Sequence, residues 1–433
     1  MKSEPLYLNK NNVIYRKNLF TNKNNVIFIL FFTIILGTLT DALGWPAYIS
    51  FLNDAILLIT FIFGFSKIIS KIKKLSFLLV LPVIVFFCIS LLSSLVNYVS
   101  PLLVIWAFRN TFRGIIYFFL CITFLEISDL KKIFSILLML QTISMFLALY
   151  QLFFLQHQQD FIGGIFGYGN GAGVNTFNIL LMSFYSFSFI EKKEKLWKMI
   201  LAFITSFVIA AIAEEKITFI YFIILIINFI LLSNAKFRFK IVFLVCGITI
   251  VFIGLQILKD LYPEMYEVMT NIDKLIEYAT KTYDEGYRLP RIGSFNIISN
   301  LFFTSDLNHL LGIGFGNAET STLSIFVSDF YLKNGSYNYR WFTHQWIFIE
   351  EGFLGFISYL FIFIFIGIYL LYGLVNNKNN KNLILTSLTC LICYIISIWY
   401  NATLKIDMCY IAFFALSIGC LNNGKEISNV KIN

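Results

Sequence analysis

The chain has 433 residues, of which 58% are hydrophobic and only 13% charged, and its mean hydropathy is +0.79. That composition excludes a soluble globular domain. The formal net charge of +9 is no sign of nucleic-acid binding, because the basic residues cluster at the ends of apolar runs, where the positive-inside rule puts them.

Apolar runs of about 20 residues recur, each long enough to cross ~30 Å of hydrocarbon. A polar tail over residues 1–25 comes first. Twelve spans are then expected, at 26–44, 47–66, 75–98, 102–125, 132–155, 172–190, 197–213, 217–233, 240–258, 344–372, 383–400 and 404–421. The first run lacks a small-residue cleavage site and reads as a retained span. The expected fold class is an all-α polytopic membrane protein. Nine spans fill 26–258, a large outer loop fills 259–343, three spans fill 344–421, and a tail fills 422–433. With the N-terminus inside, 22 of the 33 Lys and Arg are cytoplasmic, while the outer loops at 45–46, 99–101, 156–171 and 401–403 hold none. Both tails are then cytoplasmic. Richness in Lys, Asn, Ile and Phe reads as low-GC coding, and so as a bacterial cytoplasmic membrane. All seven Cys fall in spans, and Cys390 and Cys393 read as apolar packing rather than redox chemistry.

Arginine is distributed unevenly. Two of the 22 cytoplasmic basic residues are Arg, against five of the other 11: Arg109, Arg113, Arg288, Arg291 and Arg340. Charge alone orients a membrane protein, and Lys supplies it. A planar fork that grips an oxyanion in two places needs Arg. An anionic, phosphorylated ligand at the outer face is therefore expected.

In chain order, Arg109 and Arg113 sit four apart on span four, on one helix face. A charge at that depth costs ~2.5–3.5 kcal/mol, so each is expected to face a cavity or a buried acid such as Asp54. Glu214, Glu215 and Lys216 form the outer turn after span seven, either as a polar turn or as part of an anion site. The outer loop opens with amphipathic spacing from Leu261 to Tyr283, expected to form one helix on the membrane surface. Arg288 and Arg291 flank Pro290 and converge on a diphosphate if that turn is helical; the alternative is a solvated face paired with Asp284 and Glu285. A short amphipathic segment, 292–303, follows. Gly312, Gly314 and Gly316 mark a tight turn that brings backbone N–H groups close to an anion or sugar. Of the three His, His157 and His309 carry little signal. His344 opens span ten, where the helix dipole favours a neutral imidazole able to take a proton from a hydroxyl. Three scattered His and no outer Cys argue against a metal site. Glu350 and Glu351 lie two turns deeper, placed for one to pair with Arg.

Three elements in order resemble the bacterial O-antigen ligase and O-antigen polymerase superfamily. They are Arg288 leading through an amphipathic segment to Gly312-Ile-Gly-Phe-Gly-Asn317; Thr343-His344-Gln345 followed by Glu351-Gly-Phe-Leu-Gly355; and the large outer loop joining them to the spans. Gly167 to Asn175 is a weaker match, and Glu215-Lys216 stands where the family has Ser-Arg. The resemblance implies a GT-C-like glycosyltransferase architecture and a transferase without metal or cofactor. Its partners would be a polyprenyl-diphosphate-linked oligosaccharide donor and acceptor, with membrane lipids around it and room for a chain-length regulator. It implies His344 as the catalytic residue that orients or deprotonates the acceptor hydroxyl. Arg288, Arg291, Arg109, Arg113 and Lys216 would serve as the diphosphate contacts, with Gly312, Gly314, Gly316, Gln345 and Glu351 in support. The readings in competition are a repeat-unit polymerase for O-antigen or capsule, a ligase that hands finished glycan to another acceptor, and a flippase for the lipid-linked oligosaccharide. A flippase would show two similar halves, and the sequence has none.

Overall fold

A computed structural model describes residues 22–73, 77–281, 288–376 and 380–421. Among the described residues every regular element is helical and there is no strand. In chain order the helices are α1 (Asn22–Gly37), α2 (Phe51–Ile72), α3 (Phe77–Val96), α4 (Pro101–Phe124), α5 (Ile127–Phe153), α6 (Gly171–Ile190), α7 (Leu196–Ile212), α8 (Lys216–Leu232) and α9 (Phe237–Leu261). The region between α9 and the last long helices carries α10 (Pro263–Thr270), α11 (Ile272–Thr280), α12 (Ser294–Phe302), α13 (Asp306–Leu311) and α14 (Asp329–Asn334). The chain closes with α15 (Thr343–Asn376), α16 (Lys381–Tyr400) and α17 (Cys409–Ile418).

Nine of the described helices are long and apolar enough to cross a membrane, and α7, α8 and α17 are apolar but shorter. Their perimeter is apolar too. Phe63 on α2 and Phe252 on α9 are among many large side chains left exposed, which suits a chain whose solvent is lipid. This is the make-up of a polytopic membrane protein. The centre is α6, buried along almost all of its length from Gly173 to Ser188 and packed against α7 and α16. Its N-terminus is capped by the Asn170 side chain, which accepts from Gly173 N at 3.2 Å.

Three local expectations change. The stretch from Leu261 does not form one helix. Pro263 starts α10, and the Asn271 side chain accepts from the amides of Asp273 and Lys274 to start α11. A proline at the first helical position and an Asn cap each set a new helix start, and the two outweigh the continuous amphipathic pattern. Residues 282–287, which include Tyr283, Asp284 and Glu285, lie outside the described residues. The last span does not begin as helix at 404. Residues 401–408 are irregular, and α17 starts only at Cys409. Irregular backbone at such depth is tolerated where it lines a cavity or is buried in protein, and here it carries Lys405 and Asp407 to buried partners. Finally, α15 is broken. Gly352 has φ 61° and ψ −159°, a conformation open essentially to glycine alone.

Candidate active site

The break in α15 positions the site. The segment before it, from Thr343 to Glu351, is buried throughout. The glycine turn 312–316 closes the broken end. Ile313 N donates to the Ile349 carbonyl at 2.9 Å and Gly314 N to the Glu350 carbonyl at 3.0 Å, so carbonyls freed by the break find partners. The two backbones touch here. A Cβ on Gly312 would lie 2.4 Å from the Glu350 carbonyl carbon, and one on Gly352 would lie 2.6 Å from Gly312 N.

The same turn does bind an anion, but one of the protein's own. Glu350 Oε1 accepts from Gly316 N at 3.1 Å and from Ala318 N at 3.3 Å. Its Oε2 accepts from Lys405 Nζ at 2.8 Å. Lys405 Nζ also lies 3.4 Å from Glu319 Oε1, and the three side chains are fully buried. Glu319 is held in turn by Asn110 Nδ2 at 2.7 Å. Neither acid of α15 pairs with Arg as expected. Glu350 takes Lys405, and Glu351 accepts from Ser90 at 2.6 Å. The reason is distance along the fold: the irregular 401–408 segment brings a Lys to the break, and α3, packed along α15, brings a serine.

His344 is anchored on one side and available on the other. Nδ1 lies 3.1 Å from the Ile398 carbonyl. A carbonyl only accepts, so the tautomer protonated at Nδ1 satisfies this bond and leaves Nε2 as an acceptor. Nε2 lies 3.1 Å from Ser294 Oγ. The ring stacks near Trp399 with centroids 5.9 Å apart. A cavity of about 150 Å³ opens beside it, lined by His344, Trp399 and the stretch from Arg291 to Asn296. Gln345 fixes that stretch from below, its Nε2 donating to the Pro290 carbonyl at 2.8 Å.

The five expected diphosphate contacts fall into two groups. The first gathers around aromatic rings near His344. The Arg291 guanidinium sits 4.7 Å from the Tyr278 ring and 5.3 Å from both Phe342 and Tyr400. Lys216 Nζ lies 3.4 Å from the Tyr278 hydroxyl and 2.8 Å from Glu214, so Tyr278 links the two cations. Arg288 stacks 4.8 Å from Trp341. The turn carrying Arg288 and Arg291 is not helical, because α12 begins only at Ser294 after Gly293 at φ 82°. The second group, Arg109 and Arg113, lines a larger cavity of about 530 Å³. Arg109 Nε donates to Asp54 at 3.0 Å. Arg113 pairs with Asp407 at 2.5 Å and donates to the Lys405 carbonyl at 3.2 Å. His157 and His309 pack against Tyr168 and Phe303 respectively.

Lys405, Glu319, Asp407 and Ser294 had no role assigned from the sequence, and Arg340 had only its place among the five arginines that point to an anionic ligand. Lys405 carried a usable signal: on the expected topology it is one of few outer Lys. Ser294 carried none.

Glu215, in the turn before α8, is buried and accepts from Asn175 Nδ2 at 2.5 Å. Burial pushes its carboxyl up to about 7 from the usual 4.5, against the pull of the Asn175 hydrogen bond. A raised carboxyl is at home protonated. Its favourable contribution is complete below about pH 4.5 and is lost as pH rises through 7. By linkage, that shift corresponds to about 3 kcal/mol. Glu215→Gln should therefore flatten the fall in thermal stability between pH 5 and 8, as read by unfolding scans of the purified protein. An unchanged pH profile would show that another group titrates there.

Against protein-family models and curated proteins the chain has no match.

Proposed function

We propose that this protein is a polysaccharide polymerase of the O-antigen or capsule type. It moves a glycan from a polyprenyl-diphosphate carrier to a sugar hydroxyl of another lipid-linked repeat unit. The reading places twelve spans in the bacterial cytoplasmic membrane in a GT-C-like arrangement, with both termini in the cytoplasm and the site at the outer face. The observation that carries it is the His344 arrangement. Nδ1 is tied to the Ile398 carbonyl and Nε2 is turned toward a cavity shared with Arg291.

In this reading the acceptor hydroxyl attacks the anomeric carbon of the donor glycan. A new C–O bond forms as the bond from that carbon to the diphosphate breaks, and the carrier leaves with the electron pair. The hydroxyl proton passes to His344 Nε2, which already lies 3.1 Å from a hydroxyl oxygen, Ser294 Oγ. Arg288, Arg291 and Lys216 meet the charge that builds on the leaving diphosphate, which is work for cations fixed in advance. Aromatic rings around Arg291 keep water from competing for it. Arg109 and Arg113 act through the larger cavity.

Deleting the gene and resolving surface glycans on a gel tests the reading. The expected result is a ladder collapsed to single repeat units. Long chains that persist on the lipid carrier but are missing from the final acceptor would make the protein a ligase. Repeat units trapped on the cytoplasmic side would make it a flippase.

A further inference from the structure

We infer that the larger cavity is a separate binding site for an oxyanion-bearing saccharide, a glycosyl phosphate or an acidic sugar, with Arg340 as its anion contact. Four basic residues line this cavity. Arg109 is engaged by Asp54, Arg113 by Asp407, and Lys405 by Glu350 and Glu319. Arg340 has no carboxylate and no hydrogen-bond partner among the described residues, and its Nε is buried. Its guanidinium is held flat against rings, 4.5 Å from Trp346 and 5.6 Å from Tyr331.

Trp346 lines the same cavity and is buried, and its Nε1 also lacks an acceptor. Both unmet groups can only donate. A buried donor without a partner costs ~1–3 kcal/mol, and a ligand rich in acceptor oxygens removes that cost. Hydroxyls of Thr320, Ser321 and Thr322 lie along the cavity as further donors.

The cavity also carries Asp41 and Asp407. Asp41 accepts from Tyr168 N at 2.6 Å and from Thr40 at 2.9 Å, and no cation pairs with it among the described residues. A bare phosphate gains nothing from carboxylates. A sugar does, because its hydroxyls donate to them. The mixture of unmet donors and an acid without a cation, Asp41, fits one ligand that bears both an oxyanion and hydroxyls.

The link to glycan transfer rests on the function proposed above, but the site itself does not. The test is equilibrium binding to the purified full chain in lipid nanodiscs, using glucose 1-phosphate, glucuronic acid, inorganic pyrophosphate and glucose as probes. Wild type should bind at least one charged sugar more tightly than glucose. Preference for glucose 1-phosphate names the carrier phosphate as the source, and preference for glucuronic acid names an acidic sugar of the glycan. Arg340→Gln should weaken that binding at least ~30-fold, with Arg340→Lys in between. Trp346→Phe keeps the ring for Arg340 and deletes one donor, so it should weaken binding about 5-fold. Equal affinity for glucose and the charged sugars, preference for pyrophosphate over every sugar, or unchanged binding in Arg340→Gln, would overturn the inference. Loss of binding in Arg340→Gln with normal glycan chains in cells would leave the site standing and overturn its link to glycan transfer, while the polymerase reading fails on His344→Ala alone.

Discussion

His344→Ala should lower glycan transfer by ~10²–10⁴-fold, the usual worth of one positioned general base, while the protein still inserts and folds. The ring bonds only to the Ile398 carbonyl, Ser294 and the main chain of Arg291, so its removal disconnects no part of the helical body. His344→Gln separates the chemistry from the packing. A Gln side chain can keep a hydrogen bond to the Ile398 carbonyl but cannot take a proton at neutral pH, so it too should fail. The measure is single-turnover transfer between synthetic lipid-linked repeat units, alongside the thermal midpoint of each variant. Activity within tenfold of wild type in either variant would remove His344 from the role of base.

The largest effect on stability is expected at Lys405. Lys405→Met removes one positive charge and leaves Glu350 and Glu319 facing each other in a fully buried pocket. Breaking a buried pair from one side costs ~3–5 kcal/mol, because the remaining charge is uncompensated. Against a total of ~5–15 kcal/mol for a folded protein, that should sharply reduce the amount recovered folded from membranes. Adding Glu350→Gln should restore a substantial part. The Gln oxygen can still accept from Gly316 N and Ala318 N, as Glu350 does, and one of the two orphaned charges is gone. If Lys405→Met unfolds like wild type, or the double variant is no better than the single one, the triad does not hold the break in α15.

Much of the fold could be read from the chain because the long helices are written as largely apolar runs. The described helices from α1 to α9 and from α15 to α17 fall where those runs lie. Boundaries were lost where a local signal beat the pattern. Pro263 and Asn271 cut the surface helix in two, and the last helix starts only at Cys409, after an irregular 401–408 that carries Lys405 and Asp407.

The candidate site was half legible. Scarce residue types pointed to Arg288, Arg291 and His344, and the structure brings Arg291 and His344 to one small cavity. No local pattern could reveal which cations share a pocket. Arg113 meets an acid 294 residues away, and Glu350 meets a Lys 55 residues away. Such pairings are set by how helices pack rather than by sequence spacing. The glycine turn illustrates the same limit. Its amides were expected to approach an anion or a sugar, and the group that Gly316 N and Ala318 N meet is Glu350, supplied by the broken helix itself.

The central claim is that Arg291 and His344 form a centre for transfer from a diphosphate carrier. The most direct measurement is a reaction of the purified chain in nanodiscs with a single synthetic polyprenyl-diphosphate-linked repeat unit. Products are separated by length and the released polyprenyl diphosphate is counted. The account predicts a ladder of longer lipid-linked chains with one carrier released per bond formed, and no product from His344→Ala or Arg291→Ala. Repeat units left unjoined by wild type, or a ladder still made by both variants, would contradict it.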